Sequence, residues 1–144
     1  MIEIENVLAT GKTHTTLSPN DGRLDVKLSS PGTEGNPYHF EAIQQLHPTA
    51  EQFFAGVWSG CYTTVLQGIA KAKKMTLPAD LSVDVEVDIG TTGGAYLLQA
   101  RFTVRMPGVP QEIAEALAHV AHDHCPYSKA TQGNIVRTMT VIAG

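Results

Sequence analysis

The stretch Thr49 to Met75, TAEQFFAGVWSGCYTTVLQGIAKAKKM, constrains the fold more than any other part of the chain. Thr49, with Gln52 three residues on, has the form of a capping box, and Lys71, Lys73 and Lys74 put positive charge where a helix C-terminus favours it. Both ends of one long helix are marked. The face through Phe54, Val57, Trp58, Cys61, Val65, Gly68 and Ala72 is apolar or small, and the face through Ala55, Tyr62, Leu66 and Ile69 is hardly more polar. A helix apolar on nearly every side is expected to be buried. Its length of about 40 Å exceeds what one small domain covers, so a second copy is expected to complete the burial.

Around this helix the chain reads as strands. Ile2 to Leu8 alternates, and a polar segment, GKTHTTLSPNDGR, is expected to be a loop ending in the turn Pro19-Asn20-Asp21-Gly22. Leu24, Val26 and Leu28 then alternate with charged residues, as in the second arm of a hairpin. Ser29 to Pro48 is a long Gly- and Pro-containing connection with a short helical turn expected within Tyr38 to Leu46. Val83, Val85, Val87 and Ile89 keep a two-residue period that resumes from Tyr96 to Met106 beyond a Gly90 to Gly94 turn, the pattern of an antiparallel pair. Ile113, Ala116, Leu117 and Val120 mark a second helix, Pro126 is expected to stop or kink it, KATQGN to form a loop, and Ile135 to Ile142 a last strand. The order predicts a single α+β domain over residues 1–144.

A net charge of -4 with no long basic run argues against nucleic acid or an anionic membrane as partner. The chain shows neither a membrane span nor a leader-like start, and the cytoplasm is the expected compartment. The two cysteines, Cys61 and Cys125, read either as chance core thiols or, in a reducing compartment, as a transient redox pair. His119, His122 and His124 beside Cys125 could share a metal, but a solvated helix end is the plainer reading, and no metal is expected.

The segments AEQFFAGVWSGC around Cys61 and AHDHCPYSKATQGNI around Cys125 closely resemble the two signature segments of the OsmC/Ohr family, on its organic hydroperoxide resistance branch. LDVKLSSP, LPAD, the paired strands and a Pro-Gly turn fall in the family's order. The resemblance implies an intertwined homodimer with antiparallel sheets packed on a long central helix. It also implies a thiol peroxidase without bound cofactor, with Cys61 peroxidatic and Cys125 resolving. The oxidised cysteine of such an enzyme becomes a sulfenic acid and then a Cys61–Cys125 disulfide. Organic hydroperoxides are the implied substrates, in a pocket lined by Phe54, Trp58 and Tyr62. The implied reductant is a dithiol, in the family a lipoylated protein.

Glu51 matches the family's active-site glutamate, which orients an arginine onto the thiolate. Ten residues of helix put Glu51 about 15 Å from Cys61 in its own chain, so Glu51 is expected beside Cys61 of a partner, where Gly56 and Gly60 would let two helices approach. The family's arginine is replaced by Thr13, and Lys12 or His14 are the neighbouring candidates for stabilising the thiolate. The alternative is a non-catalytic or metal-binding relative holding an apolar ligand at the dimer interface.

Overall fold

The computed structural model describes residues 2–18, 23–31 and 49–144; the turn expected at 19–22 and the helical turn expected within 38–46 lie outside them. In chain order the elements are β1 (Asn6–Leu17), β2 (Leu24–Ser29), α1 (Ala50–Ala72), β3 (Ser82–Thr92), β4 (Ala95–Met106), α2 (Gln111–His124), α3 (Pro126–Thr131) and β5 (Val136–Ala143). The strands form one five-stranded sheet in the order β2-β1-β3-β4-β5. The α+β class is as expected. The sheet is not wholly antiparallel, however: β5 pairs parallel to β4, with Phe102 opposite Met139. Helix α2 carries the chain back along the sheet between these two strands, and a crossover of that kind returns the next strand in the same direction.

Helix α1 forms where its caps indicate. Thr49 accepts from the Gln52 backbone N–H while the Gln52 side chain accepts from the Thr49 N–H, and Lys73 closes the other end. The β3–β4 hairpin turns at Gly93 and Gly94, both with positive φ (56° and 82°), as a two-residue turn between right-twisted strands requires. On the inner face of the sheet Val83, Val85 and Val87 of β3 and Phe102, Val104 and Met106 of β4 are buried against Trp58, Tyr62 and Leu66 of α1. Each fully buried side chain of this size contributes roughly 2 kcal/mol. Phe102 meets Trp58 and Tyr62 edge-on, both at 5.1 Å between ring centres. Helix α2 closes the core with Ala114, Leu117, Ala118, Ala121 and His122. Its buried face is thus rotated from the expected one, and Ile113 and Ala116 face outward.

The segment expected to be a loop after the first strand is itself strand: β1 continues through Leu17, paired on both sides. Its inward residues, Ala9, Gly11, Thr13 and Thr15, are small or polar, so no apolar alternation betrays it. The reason is the closeness of α1. Thr13 Oγ1 donates to the Ala55 carbonyl at 3.4 Å, and the Thr15 and Ser59 hydroxyls are 2.6 Å apart. At Gly11 the helix backbone at Glu51 and Gln52 occupies the space a Cβ would take. Pro126 stops the second helix as expected, but it also starts the short helix α3, where its missing N–H costs nothing, so Lys129, Ala130 and Thr131 of the segment expected to be a loop are helical.

Gly11→Ala is therefore expected to lower stability by about 1–3 kcal/mol, since backbone must move to admit one methyl. The urea midpoint checks this, and an unchanged midpoint would mean that α1 does not rest on β1 at this position.

Candidate active site

Two elements far apart in sequence meet at Cys61 and Cys125. Cys61 lies midway along α1 and is partly exposed, whereas Cys125, the residue that closes α2 and opens α3, is fully buried. Both are free thiols, close enough that Cys125 and the Tyr127 backbone act on the ionisation of Cys61. Burial pushes the Cys61 thiol up, Cys125 beside it pushes further the same way, and the Tyr127 backbone opposes them. In this environment the paired thiols are stable as thiols yet close enough for exchange chemistry.

The corner that holds Cys125 is built on a buried hydrogen-bond chain. Trp58 Nε1 donates to Ser128 Oγ at 2.9 Å, and Ser128 Oγ lies 2.8 Å from His122 Nδ1. The hydroxyl can serve the indole as acceptor and the imidazole as donor at once. His122 lies against the rings of Tyr62 and Phe102, each 4.6 Å away between centres. Its Nε2 is buried without a partner among the described residues. Burial first, then Arg137 and His119, holds His122 down to about 3, so the ring is neutral near pH 7. Tyr62 donates its hydroxyl to the Ala118 carbonyl at 2.8 Å, and burial pushes its ionisation well up.

The expected aromatic residues divide between buried and open positions. Trp58 and Tyr62 are buried at 1% and 0% exposure. Phe54, edge-on to Trp58, is partly open, and Phe53, Val57 and Tyr127 are exposed. In the single chain both rings are enclosed by the sheet and α2. The apolar stripe of Phe53 and Val57 continues past Gly60 to Gly68, where an added Cβ would meet nothing. Gly56, in contrast, faces Thr13 and Leu28 of its own sheet. The helix expected to be buried on nearly every side thus leaves one stripe uncovered in the single chain.

Lys12 and His14 do not approach Cys61 within the chain. Once residues 12–14 are strand, alternation turns Lys12 and His14 to the sheet face away from α1, and only Thr13 points inward. There Lys12 Nζ lies 3.6 Å from both Asp84 and Glu86, and His14 Nδ1 pairs with Asp84. Arg105 reaches Asp84 at 2.9 Å, and Arg101 forks onto Asp88 at 2.6 and 3.0 Å. Burial would push Asp84 up, but Arg105, His14 and Lys12 together hold it below the ordinary carboxylate range. Glu51 is buried in the first turn of α1 beside Gly11, at the opposite end of the helix half from Cys61. The three histidines do not converge: His122 is core, His119 and His124 are exposed, and no metal-holding group of three exists among the described residues. No described helix is long and apolar enough to cross a membrane.

Sequence reasoning missed Ser128 as the hydrogen-bond hub and Arg137 as a charge on the inward face of β5. The alternation of β5 carried the signal for Arg137, because Met139, Val141 and Ala143 are the inward residues of that strand.

Residues 43–140 match the family described as OsmC-like protein. The organic hydroperoxide resistance protein of Xanthomonas axonopodis pv. citri is 32% identical over 133 residues, 92% of this chain and 89% of that protein. The organic hydroperoxide resistance protein OhrA of Bacillus subtilis is 30% identical over 94% of this chain and 92% of its own length. Among solved structures, an organic hydroperoxide resistance protein from Elizabethkingia anophelis superimposes with a TM-score of 0.64 at 26% identity, covering 92% of this chain and 96% of that one.

The depressed His122 makes stability depend on pH. Its folded value lies below the unfolded value of about 6.5, so its contribution is complete above pH 6.5 and is lost as pH falls toward 3, where only the unfolded chain takes up the proton. Between pH 6.5 and 5 the loss should be about 2 kcal/mol. His122→Phe, which keeps a ring in the core, should flatten that slope in urea titrations, and an unchanged slope would refute the assignment.

Proposed function

The chain belongs to the OsmC-like protein family, and from that membership we propose that it is a thiol-dependent peroxidase that reduces organic hydroperoxides to alcohols. The observation that carries this reading is the contact between Cys61 and Cys125, the only two thiols of the chain, one partly exposed and the other buried behind it. The names of the Xanthomonas and Bacillus relatives supply the substrate class.

In the proposed reaction the Cys61 thiolate attacks the outer oxygen of ROOH. The O–O bond breaks, the RO⁻ fragment takes up a proton and leaves as the alcohol, and Cys61 retains the other oxygen as a sulfenic acid. Cys125 as thiolate then attacks the Cys61 sulfur, expelling hydroxide, which is protonated to water, and the disulfide closes. A dithiol, of the lipoyl type in the family, returns both sulfurs to the reduced state by exchange. The partly exposed sulfur meets the substrate, and the buried one is protected from further oxidation. Phe53, Phe54 and Val57 beside Cys61 offer apolar surface for an alkyl group. No cofactor takes part in the scheme.

The active form is a homodimer in this proposal. The uncovered stripe of Phe53, Val57, Gly60 and Gly68 has the apolar character and small residues that a second α1 could pack on. An antiparallel crossing there would bring Glu51 of one chain toward Cys61 of the other.

Two results follow. Cys61→Ser should abolish consumption of cumene hydroperoxide with dithiothreitol. Cys125→Ser should complete one turnover and accumulate sulfenic acid, visible as one added oxygen in the intact mass; wild-type turnover by Cys61→Ser would overturn the proposal. Light scattering at low micromolar concentration should give twice the chain mass, and a monomer would refute the dimer.

A further inference from the structure

Helix α3 opens on Cys125 and has one buried side chain, Ser128, at 1% exposure. A hydroxyl buried this far has to be hydrogen-bonded, and this one has two partners, Trp58 Nε1 at 2.9 Å and His122 Nδ1 at 2.8 Å. The indole nitrogen can only donate, so the Ser128 oxygen accepts from it and has its own proton to give to Nδ1 of the neutral imidazole.

Each of these three residues stands one turn from a cysteine. Trp58 precedes Cys61 by three residues on α1, about 4.5 Å along the axis; His122 precedes Cys125 by three on α2, and Ser128 follows it by three. One hydroxyl thus joins the helix of Cys61 to the two helices that meet at Cys125. A separate bond, from the Tyr62 hydroxyl to the Ala118 carbonyl at 2.8 Å, holds the middle of α2 on α1 without it. The side-chain bonds of Thr131 stay within α3, to the Tyr127 and Ser128 carbonyls, and do not tie that helix to α1.

We infer that the Ser128 hydroxyl is the positioning group for Cys125: bonded to Trp58 and His122, it holds the α2–α3 corner one turn from Cys61 and raises the effective concentration of one thiol at the other. This rests on the peroxidase reading above and adds to it the residue that governs closing and reopening of the disulfide. Without the hydroxyl, α3 loses its one buried tie, and the corner samples arrangements in which the sulfurs do not meet. Closing the disulfide removes those arrangements, so in the variant the bond forms more slowly and is less stable. The seat of α1 on β1 does not involve Ser128, so the first reaction of Cys61 with a hydroperoxide is unaffected.

The test measures the dithiol–disulfide equilibrium of the full chain against reduced and oxidised dithiothreitol, read by intact mass after acid quench. In this exchange two electrons and two protons pass from Cys61 and Cys125 to oxidised dithiothreitol, which becomes the dithiol as the protein disulfide closes. Ser128→Ala should shift the equilibrium about tenfold toward the protein thiols, a reduction potential about 30 mV higher. Trp58→Phe keeps the hydroxyl and removes the indole donor; it should show a similar shift, and it carries the test by itself if Ser128→Ala does not fold. The double variant should be no worse than the stronger single one, because both substitutions remove the same bond. With one equivalent of cumene hydroperoxide, sulfenic acid formation in Ser128→Ala should stay within about twofold of wild type while closure slows about tenfold. An unchanged equilibrium beside a lowered urea midpoint would make Ser128 a structural residue only and overturn the inference, as would shifts that multiply in the double variant. Failure of wild type to consume the hydroperoxide would sink the peroxidase reading instead, and the dithiothreitol equilibrium would still decide the role of Ser128.

Discussion

The contact between the first turn of α1 and the middle of β1 is the constraint from which the rest of the molecule follows. Gly11 lets helix backbone rest directly on strand backbone, and Thr13 and Thr15 join Ala55 and Ser59 along the same seam. With α1 held this close, its rotation is set: Trp58, Tyr62 and Leu66 point to the sheet, and Cys61 comes to the flank that meets α2 and α3. Had the inward residues of β1 been large, the helix would stand further off and the thiols would not share a corner.

The site is then an outcome of packing more than of charge. Cys125 is fixed because it closes one helix and opens the next, with Pro126 setting the bend and the Trp58–Ser128–His122 chain locking the corner to α1. A neutral, buried histidine in such a chain is a structural part. Its Nε2, without a partner among the described residues, and its depressed ionisation are costs that the surrounding aromatic packing offsets. One cluster of charged residues lies on the far face of the sheet, where Lys12, His14, Arg101 and Arg105 surround Asp84, Glu86 and Asp88. That network ties the outer face of β1, β3 and β4 together and leaves the thiol side with a single arginine among the described residues, Arg137.

Much of this was legible in the chain. The capping box, the basic end of α1, the two-residue period of β3 and β4 and the glycine turn between them are local patterns, and local physics produces them in any context. The two cysteines with their flanking segments were equally visible. Less visible was anything whose identity depends on what lies across from it. The sequence GKTHTT resembles a loop because its inward positions are small and polar, and only the closeness of α1 explains why a strand would carry them there. For the same reason Lys12 and His14 looked like neighbours of Cys61, until strand alternation turned them to the other face.

By itself, then, the sequence determined the α+β class, the ends of the central helix, the hairpin and the pair of thiols, since caps, periodicity and turn chemistry act within a few residues. The tertiary structure decided which stripe of α1 stays uncovered, that β5 runs parallel to β4, that His122 belongs to the core while His119 and His124 do not, and that Lys12 and His14 lie on the sheet face away from α1. Those outcomes depend on the phase of each strand against the helix above it, and a single residue's shift in that phase moves every side chain to the opposite face.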